Sequence, residues 1–256
     1  MRLQYTLVFA FVLSTLAWGQ KRPISSSGAL NVGKAYLFSI SYGLQTPGGD
    51  LIDRFGPNAN LGMGLDFLSS KGNWIFGIDG NYLFGQEVKT NVLANLQTPE
   101  GYIIGNDKTY ADIQLRERGF FVGARIGKII SLFPSVHRSG IKFSLSTGLF
   151  QHKIRIQKDP LRAVPQLSGD YRKGYDRLTN GLAFSEFIGY QMLSANRRIN
   201  FYAGIECLQA FTQSRRDFNF DTRDRDTENR LDMLFGIRVG WILPFYFGKE
   251  ADEVFY

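Results

Sequence analysis

The side chains that most often carry chemistry are scarce here: two histidines, His137 and His152, and a single cysteine, Cys207. A histidine beside a serine or an aspartate would suit hydrolysis or acyl transfer, with the imidazole as general base. His137 falls in a predicted turn and His152 near the end of a predicted strand, and the sequence alone pairs neither with a Ser or Asp. Two separated histidines and a lone cysteine do not match the ligand spacing of a zinc centre, so neither metal nor cofactor is expected. The stretch "NLGMGLD" (60–66) lacks the full dinucleotide fingerprint and its βαβ context. Catalysis is therefore not expected.

Charges placed inside apolar runs are the more informative set. In "LDMLFGIRVGWIL" (231–243), Leu231, Met233, Phe235, Ile237, Val239, Trp241 and Leu243 share one phase, while Asp232, Gly236, Arg238 and Gly240 share the other. Strand side chains alternate between faces, so one face is large and apolar and the other is small or charged. The same alternation recurs near residues 34–44, 59–69, 74–84, 117–128, 141–156, 179–193 and 198–212. With 231–243 this makes eight segments separated by turn residues. Short alternating segments of this kind are the signature of transmembrane β-strands.

The connections alternate as well. "SSKGN" (69–73) and "SANRR" (194–198) are tight and "SLFPSVHRSG" (131–140) is moderate, whereas 45–58, 85–116, 157–178 and 212–230 are longer. Short turns on the periplasmic side and long loops outside are the rhythm of an outer-membrane barrel. The fold class expected is therefore all-β, an eight-stranded antiparallel up-and-down transmembrane barrel spanning 34–247. The rival is a soluble eight-stranded barrel of the lipocalin type, with the apolar face inward. Its water-facing surface should be rich in Lys, Glu, Thr and Gln, but the second phase here is rich in Gly, Ser, Asn and Ala. That phase fits the narrow lumen of an eight-stranded barrel, where a few polar side chains need small neighbours.

On these segments, and on the aromatic last strand "GWILPFYF" (240–247), the chain resembles the small outer-membrane barrels of the OmpA transmembrane-domain and OmpX type. The resemblance implies insertion by the barrel-assembly machinery, which reads Trp241, Leu243, Phe245 and Phe247 in the final strand. It departs from the pattern because "GKEADEVFY" (248–256) follows that strand as an expected periplasmic tail, with no peptidoglycan-binding domain. The "GQK" context at the expected cleavage site resembles small barrels found with the type IX secretion and gliding machinery.

Membership of a lumenal charge network is expected for Asp66, Asp79, Arg125, Lys142, Glu206, Asp232 and Arg238, because buried charges are costly unless paired. Arg125, Glu206 and Arg238 form its expected core, and a charge plug is favoured over a conducting pore. Glu186 is the anomaly: within "LAFSEFIGY" it shares the phase of Leu182, Phe184, Ile188 and Tyr190, which should face lipid. Three readings stay open: a β-bulge that turns it into the lumen, a candidate partner interface that hides it from lipid, or a place near the headgroups. "GFFVGARIG" (119–127) puts glycines four apart, which on a strand means one face, the lumen. "SRRDFNFDTRDRDTENR" (214–230) is expected to form a salt-bridged hairpin tip, and the 85–116 loop to extend the barrel or cover its mouth.

Residues 1–19 have the layout of a secretory signal peptide, with Arg2 before the apolar run Leu7 to Leu16 and small residues flanking Trp18. A transmembrane anchor is the alternative reading of that run. Residues 20–33 would be a periplasmic segment. Export, and charges scattered along a chain of net charge +7, argue against nucleic acid. The expected setting is the outer membrane of a Gram-negative cell, in contact with lipid, lipopolysaccharide and protein partners. The expected role is non-enzymatic, as a structural or accessory subunit of an envelope secretion or assembly complex. Ligand binding through the outer loops by a stand-alone barrel, and lipid-A modification, are the alternatives.

Overall fold

The computed structural model describes residues 33–132, 138–194 and 199–247. The expected signal peptide, most of the N-terminal segment, His137 and the C-terminal tail lie outside the described residues. The strands are β1 (Lys34–Gly49), β2 (Asn58–Leu68), β3 (Trp74–Gly85), β4 (Ile103–Ile104), β5 (Tyr110–Ala111), β6 (Gln114–Ser131), β7 (Gly140–Gln157), β8 (Thr179–Leu193), β9 (Asn200–Ser214) and β10 (Asn229–Phe247). Eight of them close a barrel in the order β1-β10-β9-β8-β7-β6-β3-β2. β4 and β5 form a small hairpin within the connection from β3 to β6.

Every neighbouring pair in the barrel is antiparallel. The ring is sealed by sixteen paired positions of β1 and β10, from Lys34↔Phe247 to Gly49↔Asp232. Closure leaves no open edge, so the strands' backbone groups find partners inside the wall, as hydrocarbon requires. β1 runs five residues past the expected Leu44, so the first outer loop shortens to 50–57. Gln45 still points inward and is buried there, which keeps the alternation intact beyond the apolar stretch.

Residue type decides which face each side chain takes. Outside lie Ile40, Tyr42, Leu61, Met63, Phe76 and Ile78 on one half, and Val122, Leu149, Leu182, Ile205 and Ile237 on the other, all exposed. No helix among the described residues is long and apolar enough to cross a membrane. The strands do so, because a closed ring wearing this apolar coat is stable in lipid and not in water. Trp74, Tyr190 and Trp241 are exposed toward the end with the tight turns, where aromatic side chains suit an interface.

The interior is layered. Ala35, Leu37, Leu68, Ile75, Ile129, Leu193 and Ile242 form an apolar stopper toward the tight-turn end. A polar belt fills the middle. At the far end, Leu83, Phe121, Phe150 and Ile154 from the wall merge with Leu51, Phe55, Val92, Leu93, Val164, Leu167 and Tyr175 from the loops. Those loops are a folded cap with its own core. Phe220 of the last loop packs against it, edge-on to Tyr175 at 5.3 Å.

Small residues leave room for the belt. A Cβ on Gly77 would sit 2.3 Å from the Asp66 Oδ1 and 2.3 Å from the Leu65 carbonyl oxygen. A Cβ on Gly240 would sit 2.3 Å from the Tyr202 ring. Glycine at these positions is a matter of close approach, as the sequence pattern requires.

Candidate functional site

The middle belt is built by side chains that alternation sends inward from seven strands. Arg125 on β6 reaches Asp66 on β2 at 2.9 Å and Asp79 on β3 at 2.8 Å. Lys142 on β7 lies 3.9 Å from Asp66. Arg238 on β10 lies 3.8 Å from Asp79 and is paired with Glu206 on β9. Gln45 and Asn60 donate hydrogen bonds to the Glu206 Oε1 at 2.8 and 3.0 Å. These chains of opposite charge satisfy groups that would be costly to bury alone.

Aromatic rings close the belt toward the tight-turn end. Phe187 meets Tyr202 edge-on at 5.5 Å, and the Lys142 ammonium lies 4.7 Å from the centre of the Tyr202 ring. The cavity left among Asp79, Arg125, Lys142, Tyr202 and Arg238 is about 10 Å³. That is room for about one water at most.

Asp232 belongs to a second, outer cluster and not to the belt. It pairs with Arg54 of the first outer loop, and its Oδ2 takes 2.9 Å contact from His152 and a 2.6 Å hydrogen bond from Thr212. Asn58 donates to the buried Glu117 at 3.0 Å in the same region. Sequence reasoning left out Arg54, Glu117, Asn58 and Thr212. Glu117 and Thr212 had a usable signal, because both sit on the lumen phase of their strands. Arg54 had none, because a loop residue has no phase.

The Asp–His pair raises the question of acid–base chemistry. His152 is fully buried, flanked by Phe150 at 5.3 Å and by Phe55 edge-on at 5.5 Å. Its Nδ1 is buried without a hydrogen-bond partner. The Thr212 hydroxyl donates to the same Asp232 Oδ2 that the imidazole Nε2 meets. Arg54 occupies the other carboxylate oxygen. Through Asp232 the pair is linked to Arg54, which holds loop 50–57 down in the barrel mouth.

The loops pair charges across their boundaries. Arg177 meets Asp221 at 2.5 Å, and Arg216 grips Asp176 through Nε at 2.7 Å and Nη2 at 2.5 Å. The expected self-contained tip at 214–230 is therefore shared with the preceding loop. Arg230 does pair within its own segment, with Asp226 and Glu228 at 2.8 and 2.9 Å.

Glu186 is exposed on the outer face. The register through it is unbroken, Leu145↔Glu186 on one side and Glu186↔Cys207 on the other. The β-bulge reading is thus corrected: both neighbours match it residue for residue, and no extra residue turns it inward. It is the eighth of fifteen residues in β8, between Phe184 and Ile188, so it stands at mid-strand and not at a headgroup boundary. It makes no ion pair or hydrogen bond among the described residues. Cys207 faces it, Gln209 lies two residues further along β9 with its Nε2 3.9 Å from the Cys207 sulfur, and Thr147 is exposed on β7. Beside this polar strip runs an outer groove of about 780 Å³, lined by Ile126, Phe143, Leu145, Ile188 and Ile205.

Fold and site define a class: a transmembrane antiparallel β-barrel of eight strands with a plugged lumen, a folded outer cap and a polar strip on its lipid face. No family model and no curated protein matches the chain. Among solved structures it is similar to Ail, the attachment invasion locus protein of Yersinia pestis, crystallised with the heparin analogue sucrose octasulfate. That match has 12% identity and a TM-score of 0.39 over 84% of this chain and 100% of that one. Neisserial surface protein A is similar at 11% identity and a TM-score of 0.36, over 82% of this chain and 98% of that one.

Proposed function

We propose that the protein is a non-enzymatic barrel of the outer membrane that serves as a structural or accessory subunit of an envelope complex. The observation that carries this reading is Glu186. A carboxylate at mid-strand on a lipid face is unfavourable in bare hydrocarbon. Its neighbours Cys207 and Gln209, and the adjoining groove, form a patch suited to a membrane-spanning segment of another protein. That segment would present a cation or hydrogen-bond donors to Glu186 and apolar side chains to Ile188 and Ile205. The plugged lumen and the enclosed His152–Asp232 pair support a scaffold over a pore or a lipid-A-modifying enzyme. Service to a secretion or gliding machinery is one setting such a subunit fits, and the partner's identity decides it.

The test is gentle detergent extraction of native outer membranes, followed by native electrophoresis and mass spectrometry of wild type, Glu186→Gln and Glu186→Leu. A stoichiometric partner that stays with wild type and leaves with Glu186→Leu supports the reading. A wild-type monomer sinks it.

A further inference from the structure

The outer ends of β6 and β7 carry cations directly opposite cations. Arg116 pairs in register with Arg155, and Arg118 with Lys153. Like charges at such positions repel and destabilise a sheet unless something of opposite sign lies between them. No ion pair is made by any of the four among the described residues. Arg116 Nη2 donates to the Gln114 side chain at 2.7 Å, while its Nε is buried and unpartnered. Arg118 Nη1 donates to the backbone carbonyls of Glu117 at 2.5 Å and Gly85 at 3.4 Å. The carboxylate on this face, Asp176, is already gripped by Arg216.

Arg118, Lys153 and Arg155 border a cleft of about 370 Å³, to which the third loop adds Arg172 and the apolar wall adds Tyr82 and Phe120. Phe120 lies two residues below Arg118 on β6, and the exposed Val122 and Ile126 follow. Along one strand the surface therefore changes from hydrocarbon-facing to cationic within four residues, about 13 Å at the usual rise. A molecule filling this site needs clustered negative charge at the headgroup level and an acyl or sugar face against Phe120 and Tyr82.

We infer that this shelf binds the phosphorylated headgroup of lipid A in the outer leaflet, with the phosphates between Arg116, Arg118, Lys153 and Arg155. The inference rests on the outer-membrane reading above, which turns the long loops and this shelf toward the leaflet that holds lipopolysaccharide. Arginine forks bind phosphate oxygens in pairs, and a phosphate between facing cations removes their repulsion.

The test compares wild type, Lys153→Gln, and the triple variant Arg118→Gln/Lys153→Gln/Arg155→Gln. Membrane fractionation comes first; wild type absent from the outer-membrane fraction would overturn the membrane reading and this inference with it. Each protein is then refolded in nanodiscs, checked for a folded barrel by its heat-shifted gel migration, and titrated with bisphosphorylated lipid A, fully dephosphorylated lipid A and inorganic pyrophosphate. The expected result is tight binding of bisphosphorylated lipid A by wild type and an intermediate loss for Lys153→Gln, which removes an exposed side chain with little risk to folding. A loss on the order of a hundredfold is expected for the triple variant, from three surface cations removed. Dephosphorylated lipid A should bind wild type as weakly as lipid A binds the triple variant. Equal lipid A binding by wild type and Lys153→Gln, with the triple variant folded and unchanged too, would overturn the site while leaving the barrel reading intact. Pyrophosphate binding as tightly as lipid A would overturn the lipid and leave a bare anion site.

Discussion

Arg125 and Asp66 meet at 2.9 Å across the lumen although β3 lies between their strands. With Asp79 at 2.8 Å on the intervening strand, one guanidinium ties three strands together. Gly77 makes this possible, because any side chain there would meet Asp66.

Replacing Arg125 by Met should destabilise the barrel strongly, because two buried carboxylates lose their cation. Removing one partner of a buried pair costs about 3–5 kcal/mol. Adding Asp66→Asn and Asp79→Asn to Arg125→Met should recover much of that loss. Urea titration of the barrel in lipid vesicles measures both steps, and equal stability of wild type and Arg125→Met would refute the network's role.

The plugged lumen predicts electrical silence. Wild type in a planar bilayer should show no conductance steps. The double variant Phe187→Gly/Tyr202→Gly removes both rings beside the charge belt and should show brief openings. Steady wild-type channels would contradict a cavity of about 10 Å³ at the belt.

Arg54 fastens the first outer loop to Asp232 in the barrel mouth. Arg54→Ala should release residues 50–57 to added protease while the strands stay protected, since local opening follows loss of local contacts. The lost pair leaves Asp232 buried with His152 and Thr212, so barrel stability should also fall, by about 1–3 kcal/mol. Unchanged cleavage of whole cells or vesicles would show that Leu51 and Phe55 hold the loop alone.

The fold was legible because the alternation is strict and a transmembrane barrel has nowhere to hide an exception. At the level of the belt most inward residues, such as Ser39 and Arg238, are small or polar, and most outward ones, such as Ile40 and Ile237, are large and apolar. Partners were less legible, because they depend on register between strands distant in sequence. That is why Asp232, on the lumen phase like the others, sits with His152 and Arg54 and not with Arg125. The bulge, one of three open readings of Glu186, followed from the same strictness: an outward charge breaks the rule, and a local irregularity would restore it. The regular ladder on both sides, to Leu145 and to Cys207, leaves the charge outside and calls for an external explanation. Loop residues such as Arg54 and Phe55 carry no phase, and their descent into the mouth depends on a cavity the strands create.

Glu186→Leu should leave the isolated barrel at least as stable as wild type in lipid vesicles, since it removes a charge from the hydrocarbon face. In the native membrane the same change should weaken the assembly. The two measurements moving in opposite directions would separate an interface residue from a structural one. A large loss of isolated-barrel stability would place Glu186 in the fold instead.

The most direct measurement is site-specific photo-crosslinking in living cells, with the crosslinking residue at Cys207, directly opposite Glu186, and a control at Leu61 on β2. The account predicts one discrete protein adduct from position 207, lost when Glu186→Leu is added, and lipid adducts alone from position 61. Lipid adducts alone from both positions would contradict it.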